Sequence, residues 1–131
     1  MFDRQTIVSS SVLAILEHAK NPLSASNIIS LLAKQSLHPN KATVYRILKK
    51  LRERHVISEF NSKNGLTYYE ITHTHHHHHF ICDLCTTAYC LNGCHIDLNA
   101  IHAQSMLPNQ QFSIRSHDFN LYGVCDKCST N

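Results

Sequence analysis

A chain of 131 residues with a formal net charge of +3 has room for one ordinary domain or two very small ones. No stretch approaches the roughly 20 apolar residues that span a membrane, and the N-terminus lacks the apolar core of a signal peptide. We therefore expect a soluble, cytoplasmic protein without a membrane partner, whose six cysteines are metal ligands before they are disulfide partners.

Charged and metal-binding residues are distributed unevenly along the chain. Residues 1–66 carry ten Lys or Arg against four Asp or Glu, whereas residues 67–131 carry two against five. All six Cys and nine of the twelve His lie in the second part. The basic part is typical of a surface that binds a polyanion, and the acidic, ligand-rich part is typical of a site for cations.

Three helices are predicted in the basic part. Apolar residues recur at helical spacing from Val12 to Ala19, and Asn21-Pro22 ends this first helix. Ser24 is predicted to cap the second helix and Asn40 the third.

The third helix has two faces of opposite character. One face carries an apolar stripe at i, i+3, i+4 and i+7, formed by Val44, Ile47, Leu48 and Leu51. The leading end and the opposite face present four basic residues, which are Lys41, Arg46, Lys49 and Lys50. In an isolated helix these charges would indicate only a solvated face, but the neighbouring elements favour a role in DNA binding.

A β-hairpin is predicted directly after the third helix. Residues 56–60 and 66–72 have strand-like sequences joined around Asn64-Gly65, a pair suited to a type I′ turn. Helix, helix, basic helix and hairpin is the order of a winged helix-turn-helix, in which the third helix enters the major groove. We therefore predict a winged-helix DNA-binding domain over residues 1–72, with Lys63 of the hairpin turn as a further DNA contact.

Residues 73–131 are predicted to form a small α/β unit that binds metal. Residues 80–91 are expected to be extended, residues 96–107 to form a helix that Pro108 ends, and residues 112–122 to form a last strand. The predicted fold class is therefore α+β, a winged helix-turn-helix followed by this smaller unit.

Two CxxC motifs, Cys82-Asp-Leu-Cys85 and Cys125-Asp-Lys-Cys128, are the strongest chemical signal. Each turn brings two thiolates to adjacent corners of a tetrahedron, so the two turns together predict a structural Zn–S4 site. An intervening helix and strand must return the second pair to the first. Two disulfides are an alternative that a reducing compartment disfavours, and a thioredoxin-like redox pair is disfavoured because the surrounding pattern is not βαβ.

Five consecutive histidines, at residues 75–79, lie shortly before the first CxxC motif. An engineered tag is the alternative interpretation, but tags are usually terminal. If the run is extended its side chains alternate, so His75, His77 and His79 face one side, His76 and His78 face the other, and one strand serves two metal sites. Further candidate ligands, which spacing alone does not pair, are Glu70, Cys90, Asp97 and His117.

Three motifs of this sequence resemble the ferric uptake regulator family. They are KATVYRIL at residues 41–48, the histidine run followed by FICDLC at residues 80–85, and LYGVCDKC at residues 121–128. The resemblance covers almost the whole chain from about Val12, and the motifs are highly specific in combination. It implies a homodimer of winged helices that binds palindromic, AT-rich operator DNA when loaded with metal, with residues 73–131 as the metal-binding dimerisation domain.

The resemblance also implies roles for individual residues. The recognition-helix positions are Thr43, Tyr45 and Arg46, and the structural zinc ligands are Cys82, Cys85, Cys125 and Cys128. Ligands of a regulatory site between the two halves are matched by Glu70, His77 and His79. A second site in the dimerisation half is matched by His76, Asp97 and His117, with His78 where the family commonly has Asp.

Three departures from the family pattern bear on these roles. Pro22 occupies the region where the family often supplies a regulatory-site His, Cys90 replaces a usual Glu, and the short N-terminus lacks a basic residue often found in the first helix. The regulatory site is still complete if its ligands are Glu70, His77, His79 and Cys90. Four donors including a thiolate suit tetrahedral Zn²⁺ better than Fe²⁺ or Mn²⁺, so we favour a zinc-responsive repressor.

Other functions remain open from the sequence alone. An iron, manganese or peroxide sensor of the same family differs only in its regulatory metal. A metal buffer would not explain the basic third helix, and a zinc hydrolase would need an open coordination position and a general base. The sequence contains no HExxH motif, so we do not expect an enzyme.

Overall fold

The computed structural model describes residues 4–73, 77–91 and 103–129, with the side chains of residues 4–6 excepted. In chain order its elements are α1 (Arg4–His18), β1 (Leu23–Ser24), α2 (Ala25–Lys34), α3 (Lys41–Glu53), β2 (Ile57–Asn61), β3 (Thr67–Ile71), β4 (His79–Cys82), β5 (Ala88–Cys90), a 3₁₀ helix (Ala103–Met106), β6 (Asn120–Gly123) and α4 (Asp126–Ser129). None of the helices among these residues has both the length and the apolar character of a membrane span.

Helices α2 and α3 begin at the capping residues that the sequence predicts. Ser24 Oγ accepts a hydrogen bond from the Asn27 amide at 3.2 Å, and Asn27 Oδ1 accepts one from the Ser24 amide at 3.1 Å. Asn40 Oδ1 accepts a hydrogen bond from the Thr43 amide at 2.8 Å. Each cap satisfies backbone N–H groups that have no partner inside the helix, which determines where the helix starts.

The predicted hairpin forms the first sheet, with β1 added along β3. The strand order is β1-β3-β2, and both pairings are antiparallel. Strand β1 has two residues, too few for a periodic pattern, so the sequence did not indicate it.

The type I′ turn predicted for the hairpin is wrong. A type I′ turn needs a positive φ at both central residues, but only Gly65 has one, at 85°, while Asn64 does not. The Gly65 amide donates to the Ser62 carbonyl and the Ser62 amide to the Leu66 carbonyl. The loop therefore contains three residues, and the left-handed position at its end falls on glycine, which adopts it without steric cost.

A single core joins the three helices and the hairpin. Val12 of α1, Ile28 of α2 and Val44 of α3 are fully buried, and Ile57 and Tyr69 enter the same core from the hairpin. The apolar stripe of α3 faces this core, as predicted, and its basic face is therefore left toward solvent.

The second sheet has the order β5-β4-β6. Strand β4 pairs antiparallel with β5 and parallel with β6, and the parallel register places Cys82 opposite Gly123. This pairing returns the chain to the first CxxC motif. The α+β class predicted from the sequence is confirmed.

The second half differs from its predicted elements in three places. A turn at residues 83–85 divides the extended segment 80–91, because the first CxxC motif folds back on Cys82. The strand predicted over residues 112–122 is confined to Asn120–Gly123, because β4 begins at His79 and offers no pairing partner before Asn120. Of the helix predicted over residues 96–107, residues 96–102 lie outside the described residues, and residues 103–106 form a 3₁₀ helix.

A smaller buried cluster connects the two sheets. Tyr68 of β3 packs against Ile81 of β4 and Ala88 of β5, and its hydroxyl donates to the Thr86 carbonyl. The hairpin is therefore held against the second half of the chain, and the division into domains at residue 72 stays a prediction.

Candidate metal centres and DNA-facing helix

Both CxxC motifs meet at the carboxyl ends of the parallel pair β4–β6. Cys82 is the last residue of β4 and Cys85 follows in the turn, while Cys125 follows β6 and Cys128 lies in α4. The four sulfur atoms lie within 4.8 Å of one another, and Cys85 Sγ is 3.7 Å from Cys125 Sγ. Tetrahedral zinc with Zn–S bonds of about 2.3 Å has sulfur–sulfur edges of about 3.8 Å, so the arrangement fits a Zn–S4 site.

Backbone amides favour the thiolate form at two residues of this four-cysteine cluster, Cys82 and Cys125. The amides of Cys85 and Cys125 donate to Cys82 Sγ at 3.5 and 3.4 Å, and they lower the pKa of Cys82 to about 6. The Cys128 amide likewise lowers the pKa of Cys125. Tyr89 donates its hydroxyl to the Cys125 sulfur, which raises the pKa of Tyr89 to about 12. Thiolates are the form of cysteine that binds metal.

A second group of donors lies between the two sheets, and we call it the hinge cluster. It consists of Glu70, His77, His79 and Cys90, whose ligand atoms lie within 4.8 Å of one another. Glu70 comes from β3, His79 from β4 and Cys90 from β5, and Cys90 lies directly opposite His79 in the strand pairing. The structure thus brings together the four residues that the sequence proposed for the regulatory site.

Glu70 is the centre of the hinge cluster. Its Oε1 lies 2.7 Å from His77 Nε2, both of its oxygens lie 3.1 Å from His79 Nε2, and Cys90 Sγ donates to Oε2 at 3.4 Å. Burial opposes ionisation of Glu70, but the hydrogen bonds and charges of His79 and His77 lower its pKa overall. Burial, and then the Glu70 charge, raise the pKa of Cys90 to about 12. A cation would favour the thiolate instead, because it offsets both negative charges.

His78 faces away from the hinge cluster, as strand alternation predicts. It is buried, its Nε2 lies 3.2 Å from His117 Nε2, and its ring stacks on Phe119 at 3.9 Å between centroids. The other two residues predicted for this second site, His76 and Asp97, lie outside the described residues. The structure therefore places His78 beside His117 and leaves the rest of the site a prediction.

The exposed face of α3 carries most of the residues predicted to contact DNA. Tyr45 is 51% exposed although it is aromatic, Thr43 is half-buried, and four basic residues are exposed, which are Lys41, Arg46, Lys49 and Lys50. An aromatic ring left in water among cations is typical of a surface that docks onto a partner.

Lys63, at the tip of the hairpin, points toward the second half. Its ammonium group lies 3.8 Å from Asp83 Oδ1 and 4.3 Å from the centre of the Tyr122 ring, and its amide donates to the Tyr122 hydroxyl at 2.8 Å. A DNA contact by Lys63 stays a prediction. In this structure the ammonium group of Lys63 contacts Asp83 and Tyr122 of the second half.

Comparison with known proteins identifies the family. The model of the ferric uptake regulator family matches residues 4–122, which is most of the chain. The chain belongs to the ferric uptake regulator family. Members of this family are metal-responsive transcription regulators, so this regulator is not an enzyme.

Relatives of the regulator agree with this assignment. It is 27% identical over 118 residues to the ferric uptake regulation protein of Haemophilus influenzae, covering 88% of this chain and 77% of that protein. The ferric uptake regulator of Helicobacter pylori, described as having three functional metal-binding sites, has the same fold, with a TM-score of 0.74, 23% identity, and coverage of 98% and 82%. FurB of Mycobacterium tuberculosis, described as a zinc uptake regulator, has a TM-score of 0.53, 26% identity, and coverage of 95% of each chain.

Two neighbours of the hinge cluster were missed by the sequence analysis. Phe60 stacks on the His79 ring at 3.8 Å between centroids, and Asn21 Oδ1 accepts a hydrogen bond from the Cys90 amide at 3.0 Å. For Phe60, the sequence showed only a strand-like pattern, which does not indicate a contact with His79. The sequence indicated Asn21 only as a residue that ends the first helix. Its hydrogen-bond partner, Cys90, lies 69 residues away, so no local pattern indicated this contact.

Proposed function

We propose that the regulator is a zinc-responsive transcriptional repressor, which binds palindromic operator DNA as a homodimer when its hinge cluster is filled. The observation that carries the proposal is the convergence of Glu70, His77, His79 and Cys90 within 4.8 Å. The cytoplasm, where operator DNA lies, is the corresponding location.

The chemistry of these donors favours zinc. The cluster offers two imidazoles, one carboxylate and one thiol, which is the donor number and softness that tetrahedral Zn²⁺ prefers. Fe²⁺ and Mn²⁺ prefer more and harder oxygen or nitrogen donors. A thiolate at Cys90 and a carboxylate at Glu70 supply two negative charges, which match a divalent cation.

The position of the hinge cluster supports a regulatory role. Glu70 belongs to β3, whose neighbour Tyr69 is buried in the core that also holds α3. His79 and Cys90 belong to the second sheet. When all four donors bind one ion, β3 is fixed relative to β4 and β5. Because β3 and α3 share a core, the orientation of α3 is then fixed as well. DNA affinity rises only if the filled cluster fits the DNA-competent arrangement better than other arrangements.

The other proposed metal sites have separate roles. The four-cysteine cluster holds a structural zinc that stabilises the second half. His78 and His117, with His76 and Asp97, form a second metal site in that half. We assign residues 1–72 to DNA binding and residues 73–131 to metal binding and dimerisation.

Helix α3 is the proposed DNA reader. Thr43, Tyr45 and Arg46 are assigned to base edges, and phosphate contacts are assigned to Lys41, Lys49, Lys50 and Lys63. Arginine suits base readout because its guanidinium forms two parallel hydrogen bonds with guanine, whereas lysine serves as a point charge for phosphates.

An iron- or manganese-responsive regulator is the second candidate, and the name of the Haemophilus influenzae relative favours it. The test is a titration with Zn²⁺, Fe²⁺ and Mn²⁺ of binding to DNA selected from a random pool. The purified protein should keep its structural zinc throughout. We expect zinc to activate binding at the lowest free concentration.

Two variants of one position sharpen this test. Cys90→Ala should weaken zinc-activated DNA binding, with folding and structural zinc retained. Cys90→Glu restores the residue usual in the family and should shift the preference toward Mn²⁺ or Fe²⁺, because a hard oxygen replaces the soft sulfur. Activation of the unmodified protein by Fe²⁺ or Mn²⁺ at lower free concentrations than zinc would favour the second candidate.

A further inference from the structure

Strand β5, which carries Cys90, lies at an edge of the second sheet. Its neighbour on one side is β4, and in the order β5-β4-β6 no other described strand lies beyond it. Hydrogen bonds run from the Leu91 amide to the His78 carbonyl and from the Cys82 amide to the Thr87 carbonyl. Because hydrogen-bonded pairs alternate in an antiparallel ladder, the amide of Cys90 points away from β4.

Asn21 receives this outward-pointing amide. Its Oδ1 accepts the hydrogen bond from the Cys90 N–H at 3.0 Å. Asn21 lies between α1 and β1 and precedes Pro22, which is buried. Two residues further on, Leu23 pairs with Tyr69, the residue next to Glu70. Asn21 is therefore fixed within the winged-helix half, and it binds the backbone of β5, the strand of the second half that carries Cys90.

We infer that Asn21 is a positioning residue, which fixes the Cys90 strand to the end of α1 and couples occupancy of the hinge cluster to the DNA-binding half. This inference rests on the proposed function of the cluster. Asn21 does not touch the site through a ligand atom, and it acts through the backbone of Cys90.

The hydrogen bond has consequences at both of its ends. On the metal side, it holds the Cys90 sulfur toward Glu70, and loss of a partner that orients a ligand typically lowers metal affinity about 10- to 100-fold. On the DNA side, α1 contributes Val12, Ile15 and Leu16 to the core that also contains Val44 of α3. A shift at the end of α1 therefore reaches the recognition helix through packed side chains.

Two substitutions at Asn21 test this role. Asn21→Leu keeps the size of the side chain but cannot accept the hydrogen bond, whereas Asn21→Asp retains an acceptor oxygen. Asn27→Leu is the matched control, because it removes the side-chain hydrogen bond to Ser24 at the start of α2 without touching Cys90. The measurements are zinc affinity by chelator competition, amide hydrogen exchange at Cys90, and the ratio of DNA affinities with and without zinc in the hinge cluster.

We expect Asn21→Leu to lower zinc affinity at the hinge cluster about 10-fold, speed exchange of the Cys90 amide, and reduce the DNA-affinity ratio. Asn21→Asp should recover most of the ratio, and Asn27→Leu should lower the melting temperature and leave the ratio unchanged. An unchanged zinc affinity and ratio in Asn21→Leu would overturn the inference and leave the proposed function standing. A wild-type protein without any zinc-dependent DNA binding would instead overturn the proposed function.

Discussion

Replacement of Cys125 by serine removes one of the four sulfur donors at the ends of β4 and β6. Cys125 is buried, its amide donates to Cys82 Sγ, and its own sulfur lies 3.7 Å from Cys85 Sγ. Serine is a poor zinc ligand at neutral pH, because its hydroxyl remains protonated. We expect the variant to lose its structural zinc and to unfold the second half.

The size of the effect follows from the small apolar cluster that the described residues of that half form. This cluster consists of Tyr68, Ile81 and Ala88 with partly buried neighbours, and burial of a large apolar side chain contributes about 1.5–3 kcal/mol. A structural zinc supplies on the order of 10 kcal/mol, more than this small core. Loss of the metal should therefore abolish a cooperative melting transition of the second half and, with it, the proposed homodimer.

Ala88→Ser is the matched control for this experiment. Ala88 is 1% exposed, so the variant buries a hydroxyl in the same half, at a cost of about 1–3 kcal/mol, with all four ligands intact. Zinc content by mass spectrometry, melting by circular dichroism and mass by sedimentation give the result. A Cys125→Ser protein with full zinc content and the melting curve of the wild type would refute the assignment.

Three further substitutions test other parts of the molecule. Lys49→Ala should reduce the slope of log DNA affinity against log salt concentration by about 1.8, because a homodimer loses two phosphate contacts and each removes about 0.9. An unchanged slope would exclude Lys49 from the DNA interface. Leu32→Ala, in a fully buried position, should lower the free energy of unfolding by about 2–5 kcal/mol in urea titration, and a loss below about 1 kcal/mol would contradict the described core. Gly65→Ala should cost about 1 kcal/mol from its φ of 85° alone, because no atom lies within 4 Å of an added Cβ, and a neutral result would argue against the left-handed turn.

The first half of the fold was predictable because its signals are local. Ser24 and Asn40 cap helices through hydrogen bonds to residues three positions away, and the apolar stripe of α3 repeats within two turns. The turn was mispredicted because Asn64-Gly65 fits two turn geometries, and the loop length is decided by how Ser62 pairs with Leu66.

The identity of the candidate metal ligands was predictable, whereas their grouping depended on tertiary contacts. Cysteine spacing indicates two pairs, and the parallel register of β4 and β6 brings them together. The pairing of Glu70 with Cys90 came from the family resemblance, because the two residues lie on strands of different sheets. Asn21 carries no sequence signal for its role, since its partner is a backbone amide and any residue other than proline has one.

The most direct test of the account is DNA affinity measured against the number of zinc ions bound per protomer. The protein should be prepared with its structural zinc alone and then titrated in buffered zinc, with DNA binding and metal content followed on the same samples. We predict weak binding with the structural zinc alone and a rise of about 5- to 150-fold as the hinge cluster fills, which is the usual range of coupling between two sites. Equally tight DNA binding before and after the hinge cluster fills would contradict the claim that this cluster controls the regulator.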